Sequence, residues 1–168
     1  MRATVPTQLV VGIGEYAVSA DPDAVLVARA LGSCVAVSLW DPEARVGGLL
    51  HFLLPDSRVS PMRAQQQPAA FADLGVPLLF QADAELGAVK QRCVIRLAGG
   101  ADVTTASGQC VLDVGRRNQA AAKQLLWRSG VLIRAEHVGG AEPRDVTLTV
   151  ADGRLRITSG KTTVADVS

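Results

Sequence analysis

The chain has 168 residues, of which 48% are hydrophobic and 20% charged, and its formal net charge is +1. That length suits one domain with a substantial core, and the composition excludes a disordered or low-complexity chain. No Lys/Arg block or aromatic-interleaved basic patch occurs, so nucleic-acid binding has no electrostatic footprint.

The N-terminal stretch MRATVPTQLVVGIGEYAV lacks the apolar core and small-residue cleavage site of a signal peptide. Within it, QLVVGIG and EYAVSA read as strands. Gly12-Ile13-Gly14 lacks the third glycine and the helix of a dinucleotide fingerprint, so it reads as a strand-end turn. AVLVARALGSCVAVSLW carries two further strands, divided at Leu31-Gly32-Ser33. DPEAR is a turn, with Pro42 pre-setting φ and Asp41 able to bond the backbone ahead of it. GGLLHFLLP returns as a strand and stops at Pro55. The longest apolar runs are broken by Arg29 or by glycines, well short of a bilayer span, so no membrane insertion is expected.

Residues 56–68 read as polar and irregular. Apolar residues at helical spacing predict a helix over 69–86, with a break at Pro77. RCVIRLAGGADV reads as a buried strand ending in a glycine turn. A second helix is predicted over 115–129, closed by Gly130. VLIRAEHVGG, DVTLTVADG and RLRITSG read as three strands, the last two joined at Asp152-Gly153. The tail, 160–168, is expected to fray. The whole chain, 1–168, thus reads as a single α/β domain with sheets packed against helices.

Three cysteines (Cys34, Cys93, Cys110) and two histidines (His51, His137) form neither a disulfide framework nor a zinc spacing. Free thiols indicate a reducing compartment and a cytoplasmic protein. Cys93 and Cys110 have no histidine near them in sequence and read as structural. Cys34 differs. A hairpin centred between Pro42 and Glu43 places it directly opposite His51, with Cβ atoms about 5 Å apart; a bulge at Gly47-Gly48 would shift this by one residue and flip the face. A thiolate nucleophile needs a proton acceptor, which an imidazole supplies, and His51 is expected to lower the pKa of Cys34. Backbone N–H groups around Gly32, Ser33 and Cys34 are candidates to hold an oxyanion. Cys34 before Val-Ala-Val also fits a small buried hydrophobe, and His51 among leucines a satisfied core histidine. The spacing alone leaves both readings open.

Five ordered segments resemble the CheD family of chemoreceptor glutamine deamidases: VGIGEYAVS, LGSCVAVSLWDPEARVGGLLHFLLPDS, LAGGADV, VGRRN and AEHVGGAEPRDV. The resemblance implies hydrolysis of selected glutamine side chains on the helical cytoplasmic region of chemoreceptors, yielding glutamate and ammonia. The family's cysteine falls on Cys34 and its histidine on His51. It implies a fold similar to the deamidase domain of cytotoxic necrotizing toxins, and a partner, the phosphatase CheC. The thioester chemistry calls for no cofactor or metal, and the same geometry would cleave a γ-glutamyl methyl ester. The alternative is a weakly catalytic binding module that regulates a CheC-like phosphatase. Three positions depart from the family pattern. Ala28 stands where a threonine commonly orients the histidine, leaving that task to Ser33 or a backbone carbonyl. His137 replaces an acidic residue, and Phe71 replaces a tyrosine.

Overall fold

The computed structural model describes residues 5–102 and 113–168. Cys110 and the end of the LAGGADV segment lie outside the described residues. Alternating apolar residues make half-buried strands. β8 (Arg144–Thr149, RDVTLT) buries every second residue. β4 (Val35–Asp41) and β5 (Val46–Phe52) are instead buried along almost their whole length, because both of their faces are covered.

The strands form two five-stranded mixed sheets. The first has the order β1 (Thr7–Val10), β3 (Ala24–Leu31), β8, β9 (Leu155–Ser159), β10 (Thr162–Val167). The second runs β2 (Glu15–Ser19), β5, β4, β6 (Val94–Gly99), β7 (Ile133–Val138). Pairs β1/β3 and β6/β7 are parallel and the others antiparallel. Leu26, Leu31, Leu148 and Ile157 of the first sheet pack on Ala36, Leu49 and Ala98 of the second. The second sheet's other face packs Val37, Leu39 and Leu50 against Val76 and Leu79 of α2 (Ala72–Glu85) and Leu126 of α3 (Val114–Arg128). The result is one α/β domain in three layers: sheet, sheet, helices.

The β4/β5 turn takes four residues, 42–45, with the Asp41 carboxylate accepting from the N–H groups of Glu43 (2.9 Å) and Ala44 (3.2 Å). The hairpin centre therefore falls one residue later than predicted. Ala36, not Cys34, lies opposite His51, and no register shift occurs at Gly47-Gly48. Cys34 precedes the strand by one residue, one diagonal step from His51. A shift of two positions preserves the face.

Other elements also differ from expectation. The tail does not fray: β10 pairs antiparallel with β9, whose edge would otherwise expose unpaired backbone groups, and Arg154 bridges to Asp166 at 2.6 Å. Within the stretch read as irregular, a short helix, α1 (Pro61–Gln66), begins with proline at its first position. α2 continues through Pro77, which is exposed, without a break. α3 ends as predicted, with Gly130 at φ 73°.

Candidate active site

Residues 32–34 cross from the end of β3 in the first sheet to the start of β4 in the second, and their carbonyls are all engaged. Gly32 C=O accepts from Ala101 N–H (2.8 Å), Ser33 C=O from Asn118 Nδ2 (2.9 Å) and Cys34 C=O from Gly100 N–H (2.7 Å). Gly99 makes this approach feasible: its φ is 105°, and a Cβ there would overlap the Cys34 carbonyl. The Ser33 and Cys34 N–H groups meet no backbone acceptor among the described residues. These are the donors expected of an oxyanion hole, whereas the bond seen at Gly32 engages its carbonyl.

His51 lies on the interior strand β5, 1% exposed. Its Nδ1 is 3.3 Å from the Val11 carbonyl. A carbonyl only accepts, so Nδ1 carries the proton and Nε2 presents a lone pair. Nε2 is buried and has no hydrogen-bond partner among the described residues. Burial pulls the His51 pKa below the usual histidine range, although the Val11 carbonyl and the Glu15 charge push the other way. The ring is thus a neutral base at pH 7.

Cys34, 6% exposed, shares the inter-sheet core with Ala28 and Ala36. Burial raises its thiol pKa, offset in part by its own backbone N–H and the charge of Arg63. This corrects the expectation that His51 lowers it: among the described residues no hydrogen bond joins Sγ to the imidazole, so desolvation dominates. The resting pair is a thiol and a neutral ring. Cys93 is pushed higher, to about 12, by burial and then by the charges of Asp83 and Asp41. Its sulfur is 3.4 Å from the Val89 carbonyl.

Asn118 ties the two halves of the site together. It is fully buried on α3, and its Nδ2 donates to both Ser33 C=O and Leu53 C=O (2.8 Å), one residue before Cys34 and two after His51. The sequence flagged VGRRN without separating Asn118 from its arginines. The signal was a polar residue on the buried stripe Gly115, Asn118, Ala122, Leu126. Behind it, Gln119 Nε2 holds the Gly100 carbonyl (2.7 Å), and Gly139 N–H reaches Gly99 C=O (2.9 Å), so both glycine pairs help build the wall around the Cys34 loop.

At the rim, Gly14 N–H donates to the His51 carbonyl (2.7 Å), and Gln67 of the α1 end donates to Ile13 C=O (2.9 Å). This seats α1, bearing the exposed Met62, beside the exposed Ile13. His137 is no second base. Arg144 sits 3.1 Å from its Nδ1 and binds its carbonyl at 2.6 Å. Ala28 is fully buried, facing Val146 on the neighbouring strand. Phe71, also fully buried, precedes α2 and bridges to Leu54.

Among the described residues, no group of three or more His, Cys, Asp or Glu side chains is placed to hold a metal ion, and no helix is long and apolar enough to cross a membrane. The family model described as CheD chemotactic sensory transduction matches residues 53–159. The chain belongs to the CheD family. Its similarity to curated members extends further than that match. It is 47% identical over 150 residues (89% of this chain, 93% of the relative) to the probable chemoreceptor glutamine deamidase CheD 2 of Anaeromyxobacter dehalogenans. It is 41% identical over 148 residues (88% and 86%) to the probable chemoreceptor glutamine deamidase CheD of Solibacter usitatus. The similarly named protein of Archaeoglobus fulgidus is 37% identical over 151 residues (90% and 92%). The family-model match starts at Leu53, downstream of Cys34 and His51. It covers Asn118 and the glycine pairs at 99–100 and 139–140, whereas the strands β1 to β5 and the residues Val11 and Gly14 precede it.

Proposed function

We propose that this chain is a cytoplasmic protein-glutamine deamidase that converts glutamine side chains of chemoreceptors to glutamate, with Cys34 as nucleophile and His51 as base. The observation that carries this reading is the His51 ring: buried, neutral, fixed by Val11 at Nδ1, and unpartnered at Nε2 one diagonal step from the thiol. A buried lone pair without a partner, beside a thiol, suits proton acceptance.

In the proposed reaction, rotation about χ1 of Cys34 brings Sγ to Nε2, which takes the thiol proton. The sulfur attacks the carboxamide carbon, and the oxyanion is met by the Ser33 and Cys34 N–H groups. The imidazolium then protonates the departing ammonia, leaving a γ-glutamyl thioester that a His51-activated water hydrolyses. No step calls for a cofactor. A γ-glutamyl methyl ester would follow the same path with methanol leaving. The exposed Ile13 and Met62 offer an apolar rim for a receptor helix, and we extend the proposal to the fold shared with the toxin deamidases. Incubation with a receptor cytoplasmic fragment should add about one mass unit per converted amide and release ammonia, and Cys34→Ala should do neither.

A second reading rests on the raised pKa of Cys34 and the missing bond between Sγ and the ring. In that reading the chain is a feeble enzyme that acts chiefly by binding a CheC-like phosphatase. Co-purification with such a phosphatase, in the absence of ammonia release from any receptor fragment, would select it.

A further inference from the structure

At the end of β4 away from Cys34, the space between the sheets holds a positive charge without a counter-charge among the described residues. Arg96 on β6 is 2% exposed. Its Nη1 donates to the Gly153 carbonyl at 2.8 Å, its Nε has no partner, and it forms no ion pair among the described residues. The other buried arginine, Arg144, is by contrast held by three carbonyls and the His137 ring. Arg134 is the extra residue where the β6/β7 register shifts, and it too makes no hydrogen bond or ion pair among the described residues. Burial and then the charge of Arg134 disfavour the charged form of Arg96. Two like charges set together in this way invite an anion between them.

Both arginines line one cavity of about 470 Å³, within the range of small-molecule sites. Trp40 and Leu132 also line it, as does Ser168, the last residue, which makes no ion pair with either arginine. The Trp40 indole N–H is already bound to the Val150 carbonyl (3.0 Å), so the ring serves as an apolar wall, and Leu132 is 86% exposed. Trp40 stands six residues along from Cys34, roughly 20 Å in an extended strand, so the cavity is separate from the candidate active site.

We propose that this cavity binds a small organic anion, its carboxylate or phosphate head held by Arg96 and Arg134 and its apolar body against Trp40 and Leu132.

The test uses the full chain carrying Trp127→Phe, which leaves Trp40 as the sole tryptophan of the two in the sequence. Phenylacetate, phenyl phosphate and neutral phenylacetamide are titrated while Trp40 fluorescence and thermal stability are followed. At least one acid should change the fluorescence saturably and raise the melting temperature, and the amide should do neither; the tighter acid identifies the preferred head group. Arg134→Gln has no partner to lose, so it should fold like the parent and bind at least about tenfold more weakly. Arg96→Gln should behave likewise wherever circular dichroism shows the fold retained. Equal response to acid and amide, undiminished binding in Arg134→Gln, or a response reproduced by sodium chloride would each overturn the proposal.

Discussion

Asp83 makes folding stability depend on pH in a way that can be worked out in advance. It sits on α2 with its carboxylate over Gly48 of β5, where even a Cβ would come within 2.6 Å of Oδ2. The residue is 1% exposed and neither carboxylate oxygen has a hydrogen-bond partner among the described residues. Burial, and secondarily the charge of Asp41, push its pKa from 3.8 up to about 7. Asp41 itself stays ionised: burial opposes its charge, but Arg92 and the N–H groups of Val89, Ala44 and Glu43 hold it well below the carboxylate range.

The direction follows from proton counting. Between about pH 4 and pH 7 the folded chain keeps a proton on Asp83 that the unfolded chain has lost, so stability falls as pH rises through that window. A shift of about three units at ~1.4 kcal/mol each makes the full loss ~4 kcal/mol, complete above the folded-state pKa. Asp83→Asn keeps the shape and removes the titration. Urea unfolding of both proteins at intervals from pH 4 to pH 8 should give similar stabilities at pH 4 and a variant more stable by up to ~4 kcal/mol at pH 8. Other groups titrate in this range, His51 among them, but they are common to both proteins and cancel in the difference. A difference constant within about 0.5 kcal/mol across the window would refute the reasoning.

Cys34→Ala should abolish deamidation with the fold intact, whereas Cys93→Ser should retain it, as read by ammonia release. Because the Cys34 thiol is raised and His51 lowered, iodoacetamide should label resting Cys34 slowly at neutral pH and faster as pH rises; rapid labelling at pH 7 would indicate a preformed ion pair. The acid limb of kcat/KM should accordingly reflect the coupled pair and lie below the usual histidine range, so activity holding at pH 6.5 is expected and a steep loss there would contradict the burial argument. Asn118→Ala removes two buried bonds and should cost ~2–4 kcal/mol in urea unfolding, with a kcat loss exceeding that of an equally destabilised core variant. Ala28→Thr adds atoms at a fully buried site and should lose ~1–3 kcal/mol of stability without a gain in activity; a several-fold gain would return the orienting role to position 28.

What the sequence made legible follows from which interactions are local. The strand runs, α3 with its closing glycine, and the common face of Cys34 and His51 all rest on short periodicities that survive an error of two residues. The hairpin register was less secure, because DPEAR accommodates more than one turn length and the choice falls to the Asp41 carboxylate bonding Glu43 and Ala44. α1 has six residues, too few to display a period. β10 has no buried stripe of its own, since its residues are exposed or half-buried, and it exists because β9 offers it an edge. Asn118 was visible as a motif member, but its strap joins carbonyls 65 and 85 positions away, which no local pattern encodes.

The orienting group for His51 shows the same limit most sharply. Side-chain comparison left Ala28 as a loss, with Ser33 or a backbone carbonyl as the substitutes. The structure gives the role to the Val11 carbonyl, and Val11 is itself fixed because its N–H donates at 2.7 Å to the carbonyl of Val27, the residue before Ala28. The segment that no longer contributes a hydroxyl thus still positions the ring, through one backbone bond and the residue that bond holds. Any side chain at position 11 leaves that carbonyl in place, so the arrangement is robust to substitution there and invisible to residue-by-residue comparison. It depends instead on the course of the chain between β1 and β2, where the Gly14 N–H bond to the His51 carbonyl closes the loop around the ring. Orientation of the His51 ring is here set by backbone groups of the fold, and the side chain at position 28 takes no part in it.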